Sequence, residues 1–435
     1  MIQQDIQGYS AVAATTEPTP PADRIGLVLD FARVLYVNGQ ATDQTLDETE
    51  QVASALGLRI DADARWDELQ LQIGDDVLKP IIEAPASPSN VDMMRVAAAT
   101  SAIKELLINR LSIAAATQAI YAAAKAPPLP TWLFMFGAAG GAVALAIIFG
   151  IEHLVPAAII FVSAFAGAGL RRVLARHTTN LFVQPFCAAL LAGLIGALAV
   201  RYQLSSSLRL VCVCPCMILV PGPHLLNSAL DLIKGRIHLG AARGIYATLV
   251  IVAITMGLLC GLALLGTSLP VEPVGRAVPL WEDVLAAGVA VAAYSIFFST
   301  PLRMLPWPVS VGMLAHALRW VAISVFSATP AVGALVACIV VGIILTPISR
   351  RSKMPFAAIG FASVVSMMPG VFIFRMASGL EQIASGVHTT LPLISGAIAD
   401  AMTATTIILA MSFGLVVPKL FIDYFVSNTR AARRR

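Results

Sequence analysis

Two Pro-Gly pairs are the first residues in this chain whose types and spacing point to chemistry. Pro221-Gly222 is followed five residues later by Asn227, and Pro369-Gly370 is followed five residues later by Arg375. Proline lacks an N–H and frees a carbonyl one turn back, while glycine takes backbone conformations that other residues avoid. Backbone groups freed in this way bind ions or polar solutes, and a half-helix that begins after the break favours a carboxylate.

An acidic side chain inside an apolar run is the next candidate. Asp400 lies about seven residues into the run Leu393–Val417, and Thr403 follows one helical turn later. Charged side chains at membrane depth are costly and mark substrate or ion pathways. This carboxylate would pair with the ammonium of an amino acid or carry an exchanged proton. The alternative is a structural ion pair with Arg319 or Arg375.

A histidine in another apolar run is suited to moving protons. His316 and Arg319 lie three residues apart in Pro308–Phe326 and therefore share a helix face. Imidazole changes its charge near neutral pH, which is what a proton relay requires. The alternative is a packed, hydrogen-bonded core histidine. Glu282 and Asp283, at the outer end of a predicted span, are interpreted as solvated.

Further polar residues follow the first break. His224 and Asp231 lie in the segment that would form the half-helix, so both are candidate residues of the pathway. Lys234 and Arg236 come soon after Asp231. The alternative for these last three residues is an anchor at the membrane interface.

The division of charge along the chain shows which elements position these residues. The first 128 residues carry 17 acidic and nine basic side chains, whereas the other 307 carry eight acidic and 20 basic ones between long apolar runs. Mean hydropathy is +0.82 and charged residues make up 12% of the chain. This composition is typical of a polytopic membrane protein and leaves little room for a soluble one.

Ten apolar runs approach the roughly 20 residues that cross ~30 Å of hydrocarbon. They are Leu129–Gly150, Leu154–Leu170, Val183–Val200, Leu208–Val220, Ile245–Leu265, Val284–Ser299, Pro308–Phe326, Val332–Ile348, Met354–Phe374 and Leu393–Val417. The ten runs divide into two halves of five, and each Pro-Gly pair falls late in the fourth run of its half. Because each half has an odd number of spans, the second half is inverted relative to the first. The predicted fold is a polytopic α-helical membrane protein of about ten transmembrane helices, arranged as two inverted five-helix repeats.

A small α+β domain is predicted before the membrane part. Helical periodicity and short alternating segments predict two helices, three strands and two further helices. Its carboxylates are interpreted as solvated surface, because no nucleophile stands beside them. The predicted organisation is a disordered tail (1–22), the cytoplasmic domain (23–128), the two membrane halves (129–266 and 280–420) and a basic tail (421–435).

Lys and Arg in the connections predict the orientation. With a cytoplasmic N-terminus, 15 basic residues lie inside and four lie outside, so both termini are predicted to be cytoplasmic in the inner membrane. The outside residues are Arg201, Arg209, Arg276 and Arg375. The Arg-rich C-terminus is interpreted as an anchor facing anionic lipid rather than a nucleic-acid site.

Several function classes lack their motifs. There is no G-x₄-G-K-[ST] loop for an ATP-driven pump, and no H-E-x-x-H helix or G-x-S-x-G elbow for an enzyme. A membrane-anchored hydrolase acting through the N-terminal domain stays an alternative, as does a channel. The six cysteines lack metal-site spacing, so no metal or cofactor is predicted. A homo-oligomer is left open.

The motifs around the breaks carry a family resemblance. They include Arg24-Ile-Gly-Leu-Val-Leu, Leu219-Val-Pro-Gly-Pro-His-Leu-Leu-Asn-Ser-Ala-Leu-Asp231, Leu239-Gly-Ala-Ala-Arg-Gly244, Thr300-Pro-Leu-Arg-Met-Leu-Pro-Trp307, Arg350-Arg-Ser-Lys-Met-Pro355 and Met368-Pro-Gly370. From about Arg24 to Leu420 the chain resembles the threonine/serine exporter family, in the form that fuses both halves in one polypeptide. The resemblance implies export of small hydroxy amino acids driven by the proton-motive force. Two-subunit relatives include a succinate exporter, so a small dicarboxylate is the alternative substrate.

Overall fold

The computed structural model describes residues 21–74, 81–204, 208–269, 277–352, 354–386 and 390–434. Residues 1–20 of the predicted tail lie outside this range, as do Arg276, Lys353 and Arg435. Side chains from residue 427 onward are also outside it.

The N-terminal domain combines four helices with one small sheet. Helices α1 (Pro21–Val37) and α2 (Thr42–Ala55) precede strands β1 (Ile60–Arg65), β2 (Glu68–Ile73) and β3 (Ile81–Pro85), and helices α3 (Met93–Leu107) and α4 (Ile113–Lys125) follow. The sheet is antiparallel in the order β1-β2-β3, with Ala62 opposite Leu71 and Leu71 opposite Ile82. Its own apolar core includes the fully buried side chains of Leu27 and Phe31. Asp92 and Ser112 accept from the first turns of α3 and α4, as N-cap residues do.

The rest of the chain is a bundle of apolar helices. They are α5 (Thr131–Ile148), α6 (Leu154–His177), α7 (Val183–Arg201), α8 (Leu208–Met217), α9 (Gly222–Ile233), α10 (Ile237–Ala263), α11 (Leu280–Phe297), α12 (Pro306–Ser324), α13 (Pro330–Ser352), α14 (Phe356–Val364), α15 (Gly370–Ser385) and α16 (Leu391–Arg434). Among the described residues, seven helices are long and apolar enough to cross a membrane. The chain is therefore a polytopic helical membrane protein.

The count of spans depends on two bent helix pairs. Helices α8 and α9 meet at 57°, and α14, extended by a 3₁₀ turn at Val365–Met367, meets α15 at 62°. Treating each pair as one span raises the count to nine in the described part of the chain, against the ten runs predicted. The predicted run that is not counted is the seventh, Pro308–Phe326, which corresponds to α12. The apolar character of this helix is diluted by two prolines, two tryptophans, His316 and Arg319.

The N-terminal domain covers one end of the bundle, called here the domain side. The Met93 N–H donates to the Phe298 carbonyl at the end of α11 (3.0 Å), and Asp43 lies 3.0 Å from the Lys419 ammonium on α16. Leu239, at the start of α10, belongs to the apolar core of the domain. Helix ends from both halves of the membrane part therefore meet the same domain.

Helices α7 and α10 approach each other through glycines. A Cβ on Gly257 or Gly261 would overlap the backbone oxygens of Phe186 and Leu190, respectively, and Gly193 lies against the same region of α10. Small residues four apart allow such close packing in membranes, where apolar burial alone does not hold helices together.

Gly261→Ala should therefore lower the thermal stability of the purified protein, because the added methyl overpacks the contact at about 1–3 kcal/mol. Gly140→Ala is the matched control, since a Cβ at this helical glycine meets no atom within 4 Å. Melting temperatures in one detergent compare the two variants. Equal stability of Gly261→Ala and the control would contradict the packing described here.

Candidate functional site

The two Pro-Gly breaks pack against each other. A Cβ on Gly222, the first residue of α9, would overlap the Phe361 ring on α14. A Cβ on Gly370, the first residue of α15, would lie 2.8 Å from the Met217 Cγ at the end of α8. All four residues are buried. Each break is thus covered by the half-helix that leads into the other break.

A tyrosine from the second half satisfies the backbone of the first break. The Tyr294 hydroxyl on α11 donates to the Met217 carbonyl at 2.8 Å, and Tyr294 is 2% exposed. The break leaves carbonyls at the end of α8 without helical partners, and irregular backbone at membrane depth needs such cover from protein or water. This contact holds the interrupted backbone in place.

A buried hydrogen-bonded chain reaches the second break. The His316 Nδ1 lies 2.9 Å from an Asp283 carboxylate oxygen, and its Nε2 is bonded to the Ser366 hydroxyl, three residues before Pro369. None of the three residues is more than 3% exposed. The interpretation of Asp283 as a solvated helix end is therefore wrong, because the start of α11 is packed against α12. Arg319 is half-buried on α12 and interacts electrostatically with Asp283.

Asp400 forms an ion pair with Arg375, which lies five residues after the start of α15. Its carboxylate oxygen is 3.1 Å from the Arg375 Nε, and Arg209, at the start of α8, adds to the positive field. Of the two structural pairings open from the sequence, the structure contains the one with Arg375. Thr403 is half-buried one turn further along α16.

The polar residues after the first break bind the N-terminal domain. The Asn227 amide donates to the Gly39 carbonyl at 3.2 Å, and the Thr42 hydroxyl donates to Asp231 at 3.1 Å. We call these four residues the docking contact. The sequence did not indicate that they would meet, because the partners are 188 and 189 residues apart.

A buried arginine supports the docking contact. Arg243 on α10 is 1% exposed, lies 3.4 Å from Asp231, and packs its guanidinium 5.3 Å from the centre of the Tyr36 ring. Burial raises the pKa of the Tyr36 hydroxyl to about 12, although Arg243 acts to lower it. Arg236 adds a second, longer ion pair to Asp231 at 3.7 Å.

A second ionic contact joins the domain to α16. Lys419 is 4% exposed and lies 3.0 Å from Asp43 and 2.9 Å from Asp423. Burial alone would raise the pKa of Asp43, but the Lys419 ammonium outweighs it and the pKa is lowered. The ion pair between Asp43 and Lys419 therefore stabilises docking at neutral pH. This stabilisation is lost only as the pH falls through the lowered pKa of Asp43.

Two cavities open on the domain side. The larger, about 650 Å³, lies between α2 and the ends of α13 and α16 and carries charges of both signs, including Asp47 and Arg350. The smaller, about 290 Å³, extends from Arg171 on α6 to Pro221 and His224 at the first break. The His224 ring also packs edge-on against Tyr246, at 5.1 Å between centroids.

The predicted pathway residues therefore fall into separate groups. The Pro-Gly pairs lie at the centre, where a small apolar space of about 30 Å³ is lined by Gly222 and Phe361. Asn227 and Asp231 lie on the domain side, whereas Asp400 is paired with Arg375. Among the described residues, no group of three or more His, Cys, Asp or Glu side chains could hold a metal ion.

Two interrupted helices packed together inside an apolar bundle form an architecture that secondary transporters use. A family model described as "Putative threonine/serine exporter" matches residues 26–265, and one described as "Threonine/Serine exporter, ThrE" matches residues 283–421. The chain belongs to the threonine/serine exporter family. It is 24% identical over 408 residues to a "Probable threonine/serine exporter" of Mycobacterium tuberculosis, covering 88% of this chain and 76% of the relative. No solved structure matches the chain.

Gly222→Ala should destabilise the protein and stop transport, because the methyl occupies the position of the Phe361 ring. Overpacking of this kind costs about 1–3 kcal/mol. In a Phe361→Ala background the same Gly222→Ala change should cost much less stability, since the ring that the methyl would overlap is absent. Gly360→Ala is the control on α14, where a Cβ would make an ordinary contact at 3.6 Å. A melting temperature of Gly222→Ala equal to the parent's would show that the breaks do not pack as described.

Proposed function

We propose that the protein is a secondary exporter of small hydroxy amino acids, threonine and serine, driven by the proton-motive force. The observation that carries the proposal is the reciprocal burial of the two breaks. In transporters, breaks of this kind form the solute site. Movement of the two interrupted helices against each other opens such a site to one side of the membrane and then to the other. The descriptions of the two matching families and the name of the mycobacterial relative favour threonine and serine as solutes.

The chain Asp283–His316–Ser366 is the best candidate for proton coupling. It joins an acid, an imidazole and a hydroxyl by hydrogen bonds and ends beside the second break. Protonation of His316 would charge a group that is 0% exposed, so it must change the balance between conformations. Asp400 is the second candidate, because neutralising it would release Arg375 from its ion pair.

The same three residue types form the triad of serine hydrolases, but their environment favours a relay here. Ser366 is 1% exposed and lies in the turn that leads into the second break. A nucleophile needs room for an acyl group and donors for its oxyanion. The coupling role requires neither.

The N-terminal domain is proposed to lie in the cytoplasm, with both termini on that side of the inner membrane. The basic connections support this orientation, because Arg171, Arg243, Arg350 and Lys419 all lie at the domain side. The rule that positive charge stays inside places this end of the bundle in the cytoplasm.

Cysteine labelling in intact cells tests this orientation. Thr179→Cys, in the exposed connection between α6 and α7, should resist a membrane-impermeant thiol reagent in a chain whose own six cysteines are replaced. Leu204→Cys, at the other end of α7, should react readily. The reverse pattern would place the N-terminal domain outside.

Reconstituted vesicles test the transport proposal. Labelled threonine and serine should show counterflow, and a proton gradient should drive their net export. His316→Gln and Asp400→Asn should each lower gradient-driven export on the order of tenfold, equivalent to about 1.4 kcal/mol. The exposed residues His153 and Glu381 provide the matched controls His153→Gln and Glu381→Gln.

The outcomes separate the alternatives. Counterflow of succinate without threonine would assign the protein to dicarboxylate export. Flux without counterflow would indicate a channel, and export that persists unchanged without a proton gradient would contradict the coupled mechanism. Full activity of His316→Gln across pH 6 to 8 would make His316 a core histidine.

A further inference from the structure

The smaller cavity on the domain side is lined by two arginines. It holds about 290 Å³, close to the lower end of the roughly 300–1,000 Å³ found for small-molecule sites. Arg171 and Arg172 both line it, and none of the described lining residues is acidic, although Asp92 nearby acts electrostatically on Arg172. It reaches the first break at Pro221. A cavity with two guanidinium groups and no carboxylate is electrostatically prepared for an anion.

Both arginines have buried donors without a hydrogen-bond partner, the Nε of Arg172 and two atoms of Arg171. The two atoms of Arg171 are Nε and Nη1, and its guanidinium lies 5.3 Å from the centre of the Phe297 ring. Its neighbour Arg172 donates to the Leu129 carbonyl at 3.2 Å. Leaving a buried donor unpaired destabilises a protein, and more so when the donor is charged. The buried donors of Arg171 therefore lack the acceptor that the anion would supply.

Carboxylate is the chemical group that completes this site. A guanidinium presents parallel N–H donors that match the two oxygens of a carboxylate, and apolar walls strengthen the attraction by excluding water. Asn90 and Tyr246 line the same cavity, and their side chains carry oxygens of the kind that accept from an ammonium. We infer that Arg171 binds the carboxylate of the exported solute on the domain side, beside the Pro221–Gly222 break. That the solute is the exported one rests on the proposed function.

A membrane anchor is the competing role for an arginine at the end of α6. Arg176, one turn or so further along, is exposed and suits contact with lipid phosphate. Arg171 instead lines the cavity, with its Nε and Nη1 buried, so it is set back from the exposed surface on which Arg176 lies. The two arginines therefore offer a matched pair for experiment.

Binding to the purified full-length protein in nanodiscs tests the inference. Labelled threonine should bind the parent, and Arg171→Gln should weaken its binding at least tenfold. Arg171→Lys, which keeps the charge and loses the parallel donors, should weaken it by less. Arg176→Gln should bind threonine at the parent affinity. Threoninol, which lacks the carboxylate, should compete poorly against threonine and equally poorly in parent and Arg171→Gln.

Nanodiscs with neutral lipid alone and with added anionic lipid separate the solute from a headgroup. Three results would each overturn the inference. Arg171→Gln would bind threonine at the parent affinity, threoninol would compete effectively against threonine, or threonine binding would depend on Arg171 only in anionic lipid. A protein that binds neither threonine nor succinate would overturn it as well. Succinate binding that depends on Arg171 supports carboxylate recognition. If binding depends on Arg171 but the reconstituted protein shows no export, the binding site is supported and the proposed function is contradicted.

Discussion

The constraint on which the membrane part depends is that a broken helix leaves polar backbone groups where no lipid can satisfy them. The chain meets it by placing its two breaks together. Phe361 fills the space over Gly222, Met217 lies against Gly370, and the Tyr294 hydroxyl binds the Met217 carbonyl. Each half therefore supplies the cover that the other half requires. Separation of the halves would expose both breaks at once, which explains why the centre of the bundle is apolar and closely packed.

A second regularity concerns buried charge, because the ionic groups form pairs between different helices. Asp231 meets Arg243 below the N-terminal domain, Lys419 meets Asp43 across the domain boundary, and Asp400 meets Arg375. Removing one member of a buried pair leaves an uncompensated charge that costs about 3–5 kcal/mol. These pairs therefore define how the domain and the helices are positioned, and a conformational change must break or re-form them.

The sequence predicted the membrane class and the two interruptions, because apolar runs and Pro-Gly pairs act locally. Each of the ten predicted runs overlaps one helix or one bent pair. It did not predict the buried chain of Asp283, His316 and Ser366. Asp283 stands at the end of an apolar run, where solvent is the ordinary surrounding, and the contact that buries it comes from residues 33 positions away. Which side chain fills the space over Gly222 depends on the relative placement of the two halves, which no local pattern records.

The docking of the N-terminal domain also orders events during synthesis. Gly39 and Thr42 are translated before their partners, which lie 188 and 189 residues later in the chain. Asp43 is translated 376 residues before Lys419. At about 5–20 residues per second, roughly 9–38 s pass before the first set of partners has been translated, and roughly 19–75 s before the second. The domain is therefore complete while its docking surface still faces water. Its contact with Lys419 on α16 uses the last of these partners to be translated, so complete docking requires that both halves have been synthesised.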